Sequence, residues 1–106
     1  MAKYAVLKDA GTVLGYGGFW AIADEGHITN VAVHPINRKM GCGSKIVQAM
    51  LAKATLLGLR LLTLEVRRSN EAAKRLYEKY GFEVVGERRK YYSQPTEDAL
   101  LMTKYL

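Results

Sequence analysis

Two apolar runs of strand length, residues 27–33 (HITNVAV) and 61–66 (LLTLEV), flank a stretch whose apolar period is that of a helix. From Gly43 onward Ile46, Val47, Met50, Leu51, Ala54 and Leu57 recur at three and four residues, with Lys45, Gln48 and Lys53 between them. Gly58 then offers a C-cap. A strand, a helix and a strand in this order lie parallel in one sheet through a right-handed crossover. Few folds remain open to a chain of 106 residues built around such a unit, and a chain of that size buries one core at most.

The flanks extend the sheet. Residues 4–7 are a short apolar run, residues 8–11 (KDAG) a turn, and residues 12–23 a second strand, with Gly15, Gly17 and Gly18 loosening or bulging it. Asp24-Glu25-Gly26 turns the chain into the strand at 27–33. Beyond the crossover, Ser69 or Asn70 can cap a second helix with a buried stripe of Ala72, Ala73, Leu76, Tyr77 and Tyr80, closed by Gly81. Residues 82–89 and 99–105 read as two more strands joined by the polar segment 90–98. The expected class is α+β, a mixed sheet in the order β-β-β-α-β-α-β-β.

Composition narrows the chemistry. The apolar share of 49% is ordinary for a soluble globular protein. No apolar run approaches the ~18–20 residues that span a bilayer, and the N-terminus lacks a signal-peptide block, so a cytoplasmic location and no membrane partner are expected. The single cysteine, Cys42, excludes an internal disulfide, and His27 and His34 stand apart without zinc-ligand spacing, so no metal is expected. Neither histidine has a sequence partner that suggests catalysis, and both are read as structural. The net charge of +6 favours an anionic partner: nucleic acid, ribosome or a small phosphorylated ligand.

The stretch HPINRKMGCGSKIVQAM feeds the first helix through Gly41 and Gly43. A turn entering a helix offers unpaired N–H groups and the positive end of the helix dipole, and glycine lets an anion approach the backbone closely. Arg38 and Lys39 add charge. The spacing fits neither a dinucleotide fingerprint, which needs a third glycine where Ile46 stands, nor a P-loop, which needs Gly-Lys-Ser/Thr. A glycine-softened turn with solvated basic residues is the competing account.

With LTLEVRRSNEAAKRLYEKYGF and RRKYYSQPTEDALLM following in order, R-x-x-G-x-G after HITNVAVHP resembles the acyl-coenzyme A loop of the GNAT superfamily of N-acetyltransferases. Within it the chain resembles the RimI type, bacterial enzymes that acetylate the N-terminal alanine of a ribosomal protein. The resemblance covers nearly the whole sequence and implies one acetyltransferase domain over residues 1–106, acetyl-CoA as cosubstrate, and a protein or peptide N-terminus as acceptor. Family members place a strand and two helices ahead of the hairpin, where this sequence begins. Lys39 stands where the family commonly has glycine, and Cys42 where an aliphatic residue is common.

Acetyl transfer to an amine needs a deprotonated amine, a polarised carbonyl and a proton for the departing thiolate. Glu65, inside an apolar run, is either a strand-end carboxylate facing solvent or pairing with Arg67, or a general base. Tyr77 can be core packing with its hydroxyl at the edge, and a phenol also suits protonation of a thiolate. The backbone of Val31, Ala32 and Val33, where that strand diverges from residues 61–66, can bind pantetheine and polarise the thioester.

The resemblance assigns the base to Glu65 and the acid to Tyr77. It places cofactor contacts at Val31, Ala32, Val33, Arg38, Lys39, Met40, Gly41, Cys42, Gly43, Ser44 and Asn70, and Tyr91 and Tyr92 beside the peptide groove. Asn70 can also simply cap its helix. The other class of reading is a coenzyme A-binding or homodimerising module without turnover. RNA binding through the basic residues 88–90 is weak, because no RNA-binding motif accompanies the charge.

Overall fold

Backbone pairing in the structure, a computed structural model describing residues 2–9, 12–33 and 41–106, gives eight elements in the expected order. These are β1 (Ala2–Asp9), β2 (Thr12–Ile22), β3 (Glu25–Val33), α1 (Cys42–Leu56), β4 (Leu61–Arg67), α2 (Glu71–Lys79), β5 (Glu83–Ser93) and β6 (Thr96–Tyr105). One mixed sheet runs β1-β2-β3-β4-β6-β5. The β3–β4 pairing is parallel, as the crossover requires, and the other four are antiparallel.

Helix α1 buries Ile46, Val47, Met50 and Ala54. Their spacing puts them on one face of the helix, which packs against Phe19, Ile28, Leu62 and Leu64 of the sheet. The approach is close enough that a Cβ at Gly17 would stand 2.6 Å from Ile46 Cγ2. The expected irregularity in β2 is a register shift between Gly18 and Phe19. Leu57, expected in the stripe, is instead exposed. The helix has ended by then, and the chain turns through Gly58 at φ +74°, a left-handed conformation that suits glycine.

Helix α2 begins at the Asn70 cap, whose side-chain oxygen accepts from the Ala73 N–H at 3.1 Å. Tyr77 is buried, with Ala73, Leu76 and Tyr80 packed beside the core. Ala72, expected in that stripe, is exposed, because it lies about 100° round the helix from Ala73. Gly81 follows at φ +91°.

The polar segment 90–98 is mostly strand, not a connection. Tyr92 pairs with Glu97 and Ser93 with Thr96, and a bulge between Arg88 and Tyr92 absorbs the extra residues of β5. Lys90 takes φ +52° there and its N–H donates to Asp98 Oδ1 at 2.8 Å. The hairpin tip is tied back to β4 by Arg67, whose guanidinium donates to the carbonyls of Pro95 and Gln94 at 3.0 and 3.4 Å. Its sequence looked like a loop because polar strand residues near a sheet edge carry no apolar alternation.

Candidate active site

Parallel pairing between β3 and β4 covers only Glu25–His27 against Leu61–Thr63. Past that point β3 stays paired on its other side, with Val31 opposite Gly17 and Ala32 opposite Tyr16. Its edge toward β4 therefore turns unpaired backbone groups into a widening gap, and a cleft of about 290 Å³ opens there. Thr29, Asn30 and Val31 form the β3 wall, Glu65 and Arg67 the β4 wall, and Asn70 and Tyr77 the wall from α2. Tyr92 of β5 reaches the same cleft. Five residues singled out in the sequence, Val31, Glu65, Asn70, Tyr77 and Tyr92, are thus brought together, although they come from β3, β4, α2 with its cap, and β5.

Glu65 has a side chain only 8% exposed. It does not pair with Arg67, the partner considered from sequence. Its Oε2 lies 2.6 Å from His27 Nε2, and its Oε1 lies 3.4 Å from Arg88 Nε. His27, read as a structural histidine without a partner, is therefore in direct contact with the candidate base. Arg67 instead stacks 4.2 Å over the Tyr92 ring and faces Glu97 at 4.0 Å. The sequence gives no signal for the His27 contact, since the two residues are 38 apart and meet only through the register of a parallel pair.

Tyr77 is 8% exposed and meets Phe82 edge-on with ring centroids 5.4 Å apart. Burial, with Tyr92 nearby, pushes its hydroxyl up to about 12 from the usual 10. Burial and the neighbouring Tyr91 also raise Tyr92. Tyr77 is consequently a protonated donor at neutral pH. Of the tyrosine pair, Tyr92 lines the cleft while Tyr91 is half exposed and packs edge-on against it at 5.1 Å.

At the head of α1, Gly41 adopts φ +76° and its carbonyl accepts from the Lys45 N–H at 3.1 Å, starting the helix. No side chain caps this end and its first turn holds no acidic residue. The N–H groups of Cys42, Gly43 and Ser44 have no partner within the helix, and the dipole there favours an anion. Cys42 differs from the others because its side chain is buried in the core, so it offers a ligand only its backbone. Gly43 lies against α2, where an added Cβ would stand 3.2 Å from Leu76 Cδ2. Leu76 precedes Tyr77, so the loop-facing end of α1 and the tyrosine are mechanically adjacent. Arg38, Lys39, Met40 and His34 lie outside the described residues, as do the side chains of Ala32 and Val33.

No group of three potential metal ligands occurs among the described residues, and no helix there is long and apolar enough to cross a membrane. Residues 2–82 match the family model described as "Acetyltransferase (GNAT) family". A Bacillus subtilis (strain 168) protein, named as a candidate ribosomal protein bS18-alanine N-acetyltransferase, is 38% identical over 95% of this chain and 67% of its own length. The crystal structure of the ribosomal-protein-S18-alanine N-acetyltransferase from Escherichia coli superposes with a TM-score of 0.92 at 31% identity, covering 98% of this chain and 68% of that one. A GNAT family acetyltransferase from Elizabethkingia anophelis, solved with acetyl-CoA bound, shares the fold at a TM-score of 0.92 and 20% identity, over 99% of this chain and 76% of its own. A sheet that splays beside a glycine-led helix, and a family match over most of the chain, lead to one assignment: this chain belongs to the acetyltransferase (GNAT) family.

Proposed function

We propose that the chain transfers an acetyl group from acetyl-CoA to the N-terminal amine of a protein, with the N-terminal alanine of a ribosomal protein, the acceptor named for its relatives, as the leading substrate. The observation that carries the reading is the convergence of Glu65 and Tyr77 on a cleft walled by the unpaired edge of β3. A binding module without turnover would need neither a buried carboxylate nor a buried phenol at that place.

An N-terminal ammonium has a reference pKa of about 7.7–8.0, so a carboxylate can take its proton directly or through one water. The freed amine attacks the thioester carbonyl, forming the C–N bond, while a β3 backbone N–H stabilises the developing oxyanion. The C–S bond then breaks. Tyr77, held near 12, yields its proton only in concert with that cleavage, as charge builds on sulfur. The second proton of the attacking nitrogen leaves through water and restores the phenol, and Glu65 returns the first to solvent. The N–H groups of residues 41–44 and the side chains of Arg38 and Lys39 hold the pyrophosphate, and Asn70 contacts the cofactor while capping α2.

The test is acetylation of an alanine-initiated peptide with acetyl-CoA by the wild-type chain and by Glu65→Gln. The expected loss is roughly 10²- to 10⁴-fold in kcat. Equal rates would remove Glu65 from the chemistry, and no acetyl transfer by the wild-type chain to any peptide would overturn the reading.

A further inference from the structure

We propose that His27 is the positioning residue for the Glu65 carboxylate, an inference that rests on the acetyl-transfer reading above. The ladder between β3 and β4 ends at the His27–Thr63 pair. His27 is therefore the last β3 residue held at sheet spacing from β4, and Glu65 follows two residues further along β4 on the same face. At that point the imidazole can span the opening gap, and it does so with a 2.6 Å contact from Nε2 to Oε2.

An ionised carboxylate has no proton to donate, so at this distance the hydrogen belongs to the imidazole and Nε2–H donates to Oε2. The contact immobilises one carboxylate oxygen and leaves Oε1 directed away from the ring. Arg88, reaching over from β5, approaches that oxygen at 3.4 Å, a looser contact from a side chain more than half exposed. An incoming ammonium or water can displace Arg88 from Oε1 without disturbing Oε2. Arg67, also on β4, is occupied with Tyr92 and Glu97, so among the described groups His27 makes the short hydrogen bond that fixes the base.

The imidazole itself packs little of the core, since the His27 side chain is 45% exposed while the carboxylate it meets is 8% exposed. Its value lies in restricting the rotamers of Glu65, since a base must be held within hydrogen-bond reach of the proton it removes.

Steady-state kinetics with an alanine-initiated peptide and acetyl-CoA tests this in five variants. His27→Ala is expected to lower kcat roughly tenfold to a hundredfold, as loss of a group orienting a ligand does elsewhere, with the KM for acetyl-CoA unchanged. His27→Gln, whose amide reaches the place of Nε2, recovers most of that loss, whereas His27→Asn, equally polar but one methylene shorter, does not. In Glu65→Gln, adding His27→Ala lowers the rate no further. If His27→Ala folds poorly, the Gln and Asn pair decides alone, because both keep a polar amide at the surface. A wild-type kcat in His27→Ala, equal rates for Gln and Asn, or multiplicative losses with Glu65→Gln would each overturn the assignment while leaving acetyl transfer standing. Absence of turnover in the wild-type chain would instead overturn the reading on which it rests.

Discussion

Tyr77 shows how the burial that serves the core also sets the state of a hydroxyl to which the proposed reaction assigns a proton transfer. The environment that packs it against Phe82 also raises its hydroxyl to about 12, and this has a consequence for stability with a definite sign. The stabilisation is complete below pH 10, where folded and unfolded phenols are both protonated, and it is lost as pH rises from 10 to 12, where only the folded one still holds its proton. The size is up to about 2–3 kcal/mol for a shift of this extent. Urea titrations of the wild type and Tyr77→Phe at pH values between 10 and 12 should therefore give a steeper decline for the wild type, and parallel declines would place the hydroxyl in water. In acetylation assays at pH 7.5, Tyr77→Phe should retain its KM values and lose about 10²-fold or more in kcat. Tyr77 was legible in the sequence as a buried stripe residue within a recognisable motif. His27 was not, because residues 38 apart meet through strand register, which side-chain periodicity does not encode.

Among the elements, the two helices do different work. Helix α1 is clamped onto β2, where Gly17 admits Ile46 at a distance no Cβ would tolerate and Met50 at a tight one. Gly17→Ala should cost about 1–3 kcal/mol, since Ile46 is stiff at χ1 and cannot swing aside without disturbing the packing around it. A thermal melt unchanged from wild type would show that the helix can lift off the strand freely. Helix α2 is short, at 9 residues, and its start is fixed by Asn70. Replacing Asn70 with alanine should destabilise by about 1 kcal/mol through the lost cap. Because the same residue lines the cleft, the variant should also raise the KM for acetyl-CoA; a stability loss with unchanged KM would confine Asn70 to capping. Both helices and their order were legible from spacing, but their buried faces were narrower than the apolar stripes, leaving Leu57 and Ala72 outside. The hairpin of β5 and β6 was the least legible element, since cross-strand pairs such as Tyr92 with Glu97 and the tether from Arg67 hold it, and neither leaves a local pattern.

For the whole molecule, the decisive feature is a parallel pair that stays together for three residues on each strand and then parts. The separation leaves an unpaired backbone edge on one strand and a buried carboxylate on the other, while α1 brings its N-terminus, with no acidic residue in the first turn, to the α2 side of the cleft. Charge acts on the same scale. With Lys and Arg exceeding Asp and Glu to give a net +6, the chain attracts a polyanionic cosubstrate before any specific contact forms. In the proposed reading two kinds of interaction hold the pyrophosphate, and salt separates them. Attraction by exposed lysine and arginine is screened over a Debye length of about 10 Å at 0.1 M salt, whereas N–H groups of a helix end in direct contact with the anion are screened much less. Raising sodium chloride from about 20 to about 500 mM should therefore raise the KM for acetyl-CoA roughly three- to tenfold with kcat nearly constant, because the Glu65 carboxylate is 8% exposed and its 2.6 Å contact is screened little. A salt-independent KM would assign pyrophosphate binding to the helix end and backbone alone. A falling kcat would mean that salt reaches the Glu65 contacts with His27 and Arg88, so that the electrostatics of the base and of the cofactor are not separable in this fold.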